Sequence, residues 1–264
     1  MDRIAVIRRE SDRLAEVLAG VDPAAAVPTC PGWDASDLLW HFTGVHLFWA
    51  GVLGSGARTE EEVGVVDAST PDRPADLAGL LGLRERATLE LLAQLESLGD
   101  DEPRWTWWDE EQTVGFTRRM QTYEATMHRV DAERTAGAEL SPIPPDVAAG
   151  AVDHCVDVMW AGVPEWAHDR ALAHVEIVAS ETGDRWLVEV GRWSGTGPES
   201  GRTFDEPRAR RLSGEIEPGM PRATVTGTVQ DLALWAWGRG DAVTVQGPEA
   251  AVRAVTDLAE RGIN

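Results

Sequence analysis

The sequence predicts an α+β protein in which a bundle of four or five helices precedes a smaller α/β region. Three observations carry this. Apolar residues recur at helical spacing through the first part of the chain, the period changes to two after residue 165, and 43% of the 264 residues are apolar, enough for a proper core. A chain of this length makes one large domain or two of ordinary size. The change of texture divides it into 1–164 and 165–264.

The elements follow in order. Residues 3–19 carry Ile4, Ile7, Leu14, Val17 and Leu18 at helical spacing. After the loop VDPAAAVPTCPGW, Asp34 can cap a second helix running to about Leu53, with Asp37 in its first turn to suit the dipole. A third, leucine-rich helix spans about 74–98 and stops at Gly99-Asp-Asp-Glu-Pro103. A fourth spans about 113–136 and ends at Gly137, and a fifth spans about 145–161. Short loops between long helices read as an up-and-down bundle. Beyond residue 165, His174, Glu176 and Val178 alternate with Val175, Ile177 and Ala179. A Glu-Thr-Gly-Asp turn then leads into a second alternating run at 186–190, a hairpin signal. Further strands fit Ala223–Gly227 and Ala242–Gln246, separated by a helix near Val229–Trp237 and followed by one over Glu249–Arg261.

Charge narrows the partners. The 24 basic residues, all arginine, face 45 acidic ones, for a net charge of −21. A field of that sign repels phosphate backbones and anionic lipid surfaces, so neither nucleic acid nor a membrane is expected as partner. The acidic surplus lies mostly before residue 165. No apolar run approaches the ~18 residues a membrane span needs. The N-terminus is an amphipathic helix pattern interrupted by charge rather than a signal peptide. Two cysteines, Cys30 and Cys155, make no disulfide framework, and a cytoplasmic location is expected.

Three side chains stand out as metal-ligand candidates. His41 falls within the stripe Leu38, Val45, Phe48, Trp49 and Val52 of the second helix, where a polar ring must find a partner. Glu124 and His128, four apart on the fourth helix, share a face beside the row Phe116, Met120, Tyr123, Met127 and Val130. Taken singly, each is more simply a satisfied polar residue in a helix seam. Together they form a three-ligand set with positions left open, the catalytic pattern rather than the closed structural one. Imidazole and carboxylate suit zinc and also iron, cobalt, nickel or manganese, so the ligands alone do not fix the metal. His46, five residues after His41 and ~140° round the helix, does not reach the same ion. Trp105, Trp107 and Trp108 read as packing between the third and fourth helices, and Met120 and Met127 as core filler.

The segment PGWDASDLLWHFTGVHLFWA (31–50) resembles the first metal-binding helix of the DinB-like, mycothiol-dependent maleylpyruvate isomerase family of actinobacteria. EQTVGFTRRMQTYEATMHRVDAE (111–133) is similar to that family's second metal helix. ATVTGTVQDLALWAWGR (223–239), followed by AVTVQG, resembles its sterol-carrier-protein-like C-terminal domain. The resemblance implies a DinB-like bundle, a divalent metal, with zinc expected, on His41, Glu124 and His128, and mycothiol as thiol cosubstrate. Tyr123 departs from the pattern, since relatives more often carry His there. The implied chemistry is attack of a metal-bound thiolate on a small electrophile, ending in cis–trans isomerisation of a maleylpyruvate-like compound or in thiol S-transfer. A hydrolase using metal-bound water and a non-catalytic small-ligand binder are the alternatives. The resemblance further implies a catalytic arginine from the C-terminal domain, for which Arg239 is the candidate, because a guanidinium grips a carboxylate bidentately. The plainer reading of Arg239 is a solvated residue in a Gly-Arg-Gly turn. Arg118, Arg119 and Arg129, which flank the ligand helix, read as partners of acidic groups or caps of neighbouring helices.

Overall fold

The computed structural model describes residues 1–212 and 219–263. They fall into two compact units, Met1–Ser141 and Pro142–Asn264.

The first unit is helical. Its elements are α1 (Arg3–Ala19), α2 (Ala35–Ser55), α3 (Glu60–Ala68), α4 (Leu77–Ser97) and α5 (Val114–Thr135). Helix α2 packs on α4 and α5, and α1 packs on α5 and α4, closing a four-helix bundle. Asp34 begins α2 in a capping box with Asp37, as its position before the apolar run suggests. Gly56, at φ +76°, ends α2 in the left-handed conformation. Helix α3 was not expected. Its sequence EEEVGVVDA buries only Val63, so apolar periodicity could not reveal it. It is started by the Thr59–Glu62 capping box and lies against α2 at Gly51, where a Cβ would come 2.5 Å from Val66 Cγ1. The stripe of α2 is rotated from the expected one: Leu38, Leu39, Phe42, His46, Trp49 and Leu53 are buried, while His41, Val45 and Phe48 are half-buried.

Helix α5 is buried along most of its length and carries charge inside. Arg129, fully buried, donates to Glu10 Oε2 and to Glu133 Oε2, each at 2.7 Å, and to the Ser141 carbonyl. Glu133 also accepts from Arg13, from the Ser141 hydroxyl and from the Ser141 amide. Burying a charge is tolerable only when it is paired and hydrogen-bonded, and here each carboxylate has several donors. Arg118 donates to the carbonyls of Leu95 and Leu98 at the end of α4, and Arg119 pairs with Glu111. Trp105 stacks on Trp49 and Trp107 sets its edge against Phe116, so two of the three clustered tryptophans serve packing.

The second unit holds α6 (Pro145–His154), a π-helical turn (Cys155–Met159), β1 (His168–Ala179), β2 (Arg185–Thr196), β3 (Thr203–Arg211), β4 (Arg222–Gly227), α7 (Val229–Ala236), β5 (Thr244–Gln246) and α8 (Glu249–Arg261). The sheet order is β3-β2-β1-β4-β5, with β1 and β4 parallel and the other neighbours antiparallel. The fifth helix of the sequence reading therefore belongs to this unit rather than to the bundle. It packs on α7, where Trp237 Nε1 donates to the Ala151 carbonyl at 3.0 Å, and the division between units falls at Ser141/Pro142 instead of 164/165. Helical texture misled because a helix can cover a sheet as readily as join a bundle. Strand β3 also escaped the pattern. Its sequence TFDEPRARR has little apolar alternation, and it is an edge strand tied by charge, with buried Arg208 donating to Asp169 at 2.7 Å and Arg192 donating to Asp205 at 2.6 Å.

Candidate metal centre

His41 from α2 and Glu124 and His128 from α5 each turn one ligand-type atom to a common point, and those atoms lie within 4.8 Å of one another. Helical geometry supplies two of the three, because positions four apart stand one above the other. The third comes from the packing of α2 on α5, which brings the rings of His41 and His128 to a centroid distance of 5.0 Å. His128 Nε2 lies 3.3 Å from Glu124 Oε2.

The sequence reading missed the group that orients His128. Asp131, fully buried one turn further along α5, places Oδ2 3.0 Å from His128 Nδ1. Its other oxygen accepts from Thr29 Oγ1 at 2.6 Å, and the Cys30 thiol lies 3.7 Å from Oδ2. The signal was available as a His-x-x-Asp spacing next to the ligand pair. A carboxylate on Nδ1 keeps that nitrogen protonated and leaves Nε2 to face Glu124 and His41, the usual support of a metal-binding imidazole. Burial alone would lower the pKa of His128. The hydrogen bonds to Asp131 and Glu124 more than offset this and raise it to about 9. An imidazolium held between two carboxylates in the metal-free chain fits a cation site, since an ion there would take the place of a proton.

His46 stands apart from the three. It is buried against Phe42, with Nδ1 2.9 Å from Thr88 Oγ1, and burial, reinforced by the charges of Arg84 and His128, lowers its pKa to about 3. Tyr123 is also buried, and its hydroxyl accepts from Arg3 Nη1 at 3.2 Å.

Beside the centre is a cavity of about 540 Å³ that reaches His41. Trp33 forms part of its wall, with its ring 4.7 Å from that of His41. A larger cleft of about 940 Å³ lies in the second unit between the sheet and α8; three of its four arginines, 192, 253 and 261, pair with Asp205, Glu249 and Glu206, the fourth is Arg170, and none of the three candidate ligands lines it.

Comparison with known families decides the relationship. Residues 4–133 match the family model described as the mycothiol maleylpyruvate isomerase N-terminal domain, and residues 146–254 match the MDMPI C-terminal domain. The chain belongs to the mycothiol maleylpyruvate isomerase family. Its fold agrees with a crystal structure of the mycothiol-dependent maleylpyruvate isomerase at a TM-score of 0.59 and 17% identity, over 94% of this chain and 95% of that one. A histidine-to-alanine mutant of that isomerase matches equally well, with the same score, identity and coverage. No curated protein matches the chain. The two family segments meet the two compact units, one each, so the α+β reading with a helical N-terminal part holds. Arg239, the arginine expected from the family's C-terminal domain, follows α7 in the second unit. It is buried rather than solvated, and its Nη1 donates to the Trp237 carbonyl at 2.7 Å. Among the described residues, no helix is long and apolar enough to cross a membrane.

Proposed function

We propose that this family member is a metal- and mycothiol-dependent enzyme acting on a small electrophile, with His41, Glu124 and His128 as the metal ligands. The observation that carries the reading is the convergence of one carboxylate and two imidazoles from two helices, with Asp131 behind His128. Three protein ligands leave room for an exogenous one, as catalytic sites do. A bound divalent ion, zinc by preference, would supply Lewis acidity that holds a thiol as thiolate near neutral pH.

The chain's own residues do the rest. Asp131 fixes the tautomer of His128, and Thr29 and Cys30 fix Asp131. Trp33 packs on the His41 ring and limits its rotation. The flanking cavity admits a small molecule next to His41. From the family resemblance Arg239 is also proposed as a catalytic guanidinium. The reaction class is addition of the thiol to a conjugated double bond. Expulsion of the same thiol after bond rotation gives isomerisation, and retention gives S-transfer.

Cobalt substitution tests the assignment. Addition of mycothiol to cobalt-loaded chain is expected to produce a thiolate-to-cobalt charge-transfer band in the near ultraviolet and to release close to one proton per site, a value set by neutral water as the displaced ligand. Absence of both at millimolar mycothiol overturns the thiol reading in favour of a hydrolase using metal-bound water.

A further inference from the structure

Helix α5 carries a polar row that continues past the candidate metal ligands into the bundle. Thr117, Gln121, Glu124 and His128 follow one another at intervals of three or four residues and so share a face. Thr117 and Gln121, nearer the start of the helix, are fully buried. Thr122 and Thr126 of the same helix donate to the carbonyls of Arg118 and Thr122, each at 2.8 Å. By contrast, the hydroxyl of Thr117 and both amide atoms of Gln121 have no hydrogen-bond partner among the described residues. Nor has Nε2 of His46, on α2, although its Nδ1 lies 2.9 Å from Thr88 Oγ1. Native interiors seldom leave such groups unpaired, and each one calls for an explanation.

Helical register brings these atoms to one level. Helices α2 and α5 run antiparallel. Trp49, late in α2, stacks on Trp105, and Trp107 meets Phe116 and donates to Met120 near the start of α5. His41, early in α2, lies instead against Glu124 and His128. Five residues on from His41 is His46, and five residues back from the level midway between Glu124 and His128 is Gln121, each step about 7.5 Å along its axis. The His46 ring packs on Phe42, which in turn meets the His128 ring edge-on, so it faces the bundle interior. Burial keeps that ring neutral, and the charges of His128 and Glu124 reach it. Water both donates and accepts, so it suits Nε2 of His46 in either tautomer, the carbonyl and the amino group of Gln121, and the Thr117 hydroxyl. A buried water makes about three hydrogen bonds to groups of this kind.

We propose that His46, Gln121 and Thr117 form a second polar site in the bundle core, that its ligand is an internal water, and that this water ties α2 to α5 roughly one and a half turns from the candidate metal ligands. The inference uses the placement of His41, Glu124 and His128 and rests on neither bound metal nor thiol chemistry. Failure of the chain to bind zinc would remove the metal reading and leave the water site standing.

Magnetic relaxation dispersion of oxygen-17 water, measured on the full chain without metal, counts long-lived internal waters. Gln121→Leu is expected to lose one of them and to lower the melting temperature by several degrees, because it leaves His46 Nε2 and Thr117 Oγ1 without their bridge. In a dry site the same substitution would remove two unpaired polar atoms and raise the melting temperature, so the sign decides. His46→Phe and Gln121→Leu together close a double-mutant cycle across the two helices, with an expected coupling of roughly fivefold or more in the unfolding equilibrium constant. Thr117→Val, an isosteric change too small to threaten the fold, is expected to lose the same water. An unchanged water count in both Gln121→Leu and Thr117→Val, a raised melting temperature in Gln121→Leu, or additive effects in the cycle overturns the proposal.

Discussion

His128 and Asp131 face each other at 3.0 Å, imidazole Nδ1 to carboxylate Oδ2, one helical turn apart in the buried part of α5. The carboxylate accepts, so Nδ1 keeps its hydrogen and Nε2 is the nitrogen left for a ligand. Asp131→Asn inverts this. Thr29 holds one side of the group as donor, so the amide oxygen turns to it and the amide N–H₂ turns to Nδ1, forcing the other tautomer. Zinc affinity, measured by chelator competition, is expected to fall roughly 10–100-fold, with far-ultraviolet circular dichroism unchanged. Unchanged affinity would show that Asp131 has no part in orienting the ring.

Untagged, dialysed chain is expected to hold about one equivalent of a divalent transition metal, zinc by preference. His128→Ala is expected to abolish that content and all activity while the bundle stays folded, because the buried apolar rows of α2, α4 and α5 do not depend on the site. Elemental analysis and circular dichroism decide together. Less than ~0.2 equivalents after reconstitution with zinc would exclude a metal enzyme.

Zinc binding is expected to compete with a proton on His128. With the pKa near 9 in the metal-free chain, the apparent affinity rises about tenfold per pH unit between pH 6 and 8 and levels off above 9. A flat profile over that range would mean that the ring is not a ligand.

Stability of the metal-free chain follows two opposite signs. The folded pKa of His128, about 9, lies above the ordinary 6.5, so its contribution is complete below pH 6.5 and is lost as pH rises towards 9. The folded pKa of His46, about 3, lies below 6.5, so its contribution is complete above pH 6.5 and is lost as pH falls towards 3. Thermal melts after chelator treatment are expected to peak between these limits. Zinc loading is expected to remove the alkaline loss and leave the acid one.

Arg129→Ala leaves Glu10 with Arg9 and Glu133 with Arg13 and Ser141, but removes the buried guanidinium the two carboxylates share. Denaturant unfolding is expected to show a loss of roughly 3–5 kcal/mol, far more than removal of the exposed Arg253–Glu249 pair. A loss under ~1 kcal/mol would mean that water reaches the pair.

Much of this was legible in the residues. Helices α1, α2, α4 and α5 follow their apolar periods and caps, and Glu124 and His128 needed only the four-residue spacing. His41 was harder, because its meeting with α5 depends on how two helices pack and not on any local pattern. The expected stripe of α2 put Val45 and Phe48 in the core, whereas both border the cavity. Arg129 read as a flanking partner of acidic groups, and it has such partners. Its complete burial was hidden, because nothing local shows that a charge will find two carboxylates and a carbonyl inside. Helix α6 looked like bundle because a helix does not announce which neighbour it will cover.

The charges inside α5 have a consequence for specificity. Successive side chains on a helix point ~100° apart, so a one-residue slip would replace Glu124 and His128 at the centre by their neighbours Ala125 and Arg129. Leucines and alanines around α5 would tolerate such a slip, since one apolar contact substitutes for another. Arg129 would not, because it would leave Glu10 and Glu133 behind without their guanidinium. The ionic cluster thus acts as a rotational index. It admits one angular setting of the helix, and that setting aims both candidate ligands of α5 at His41.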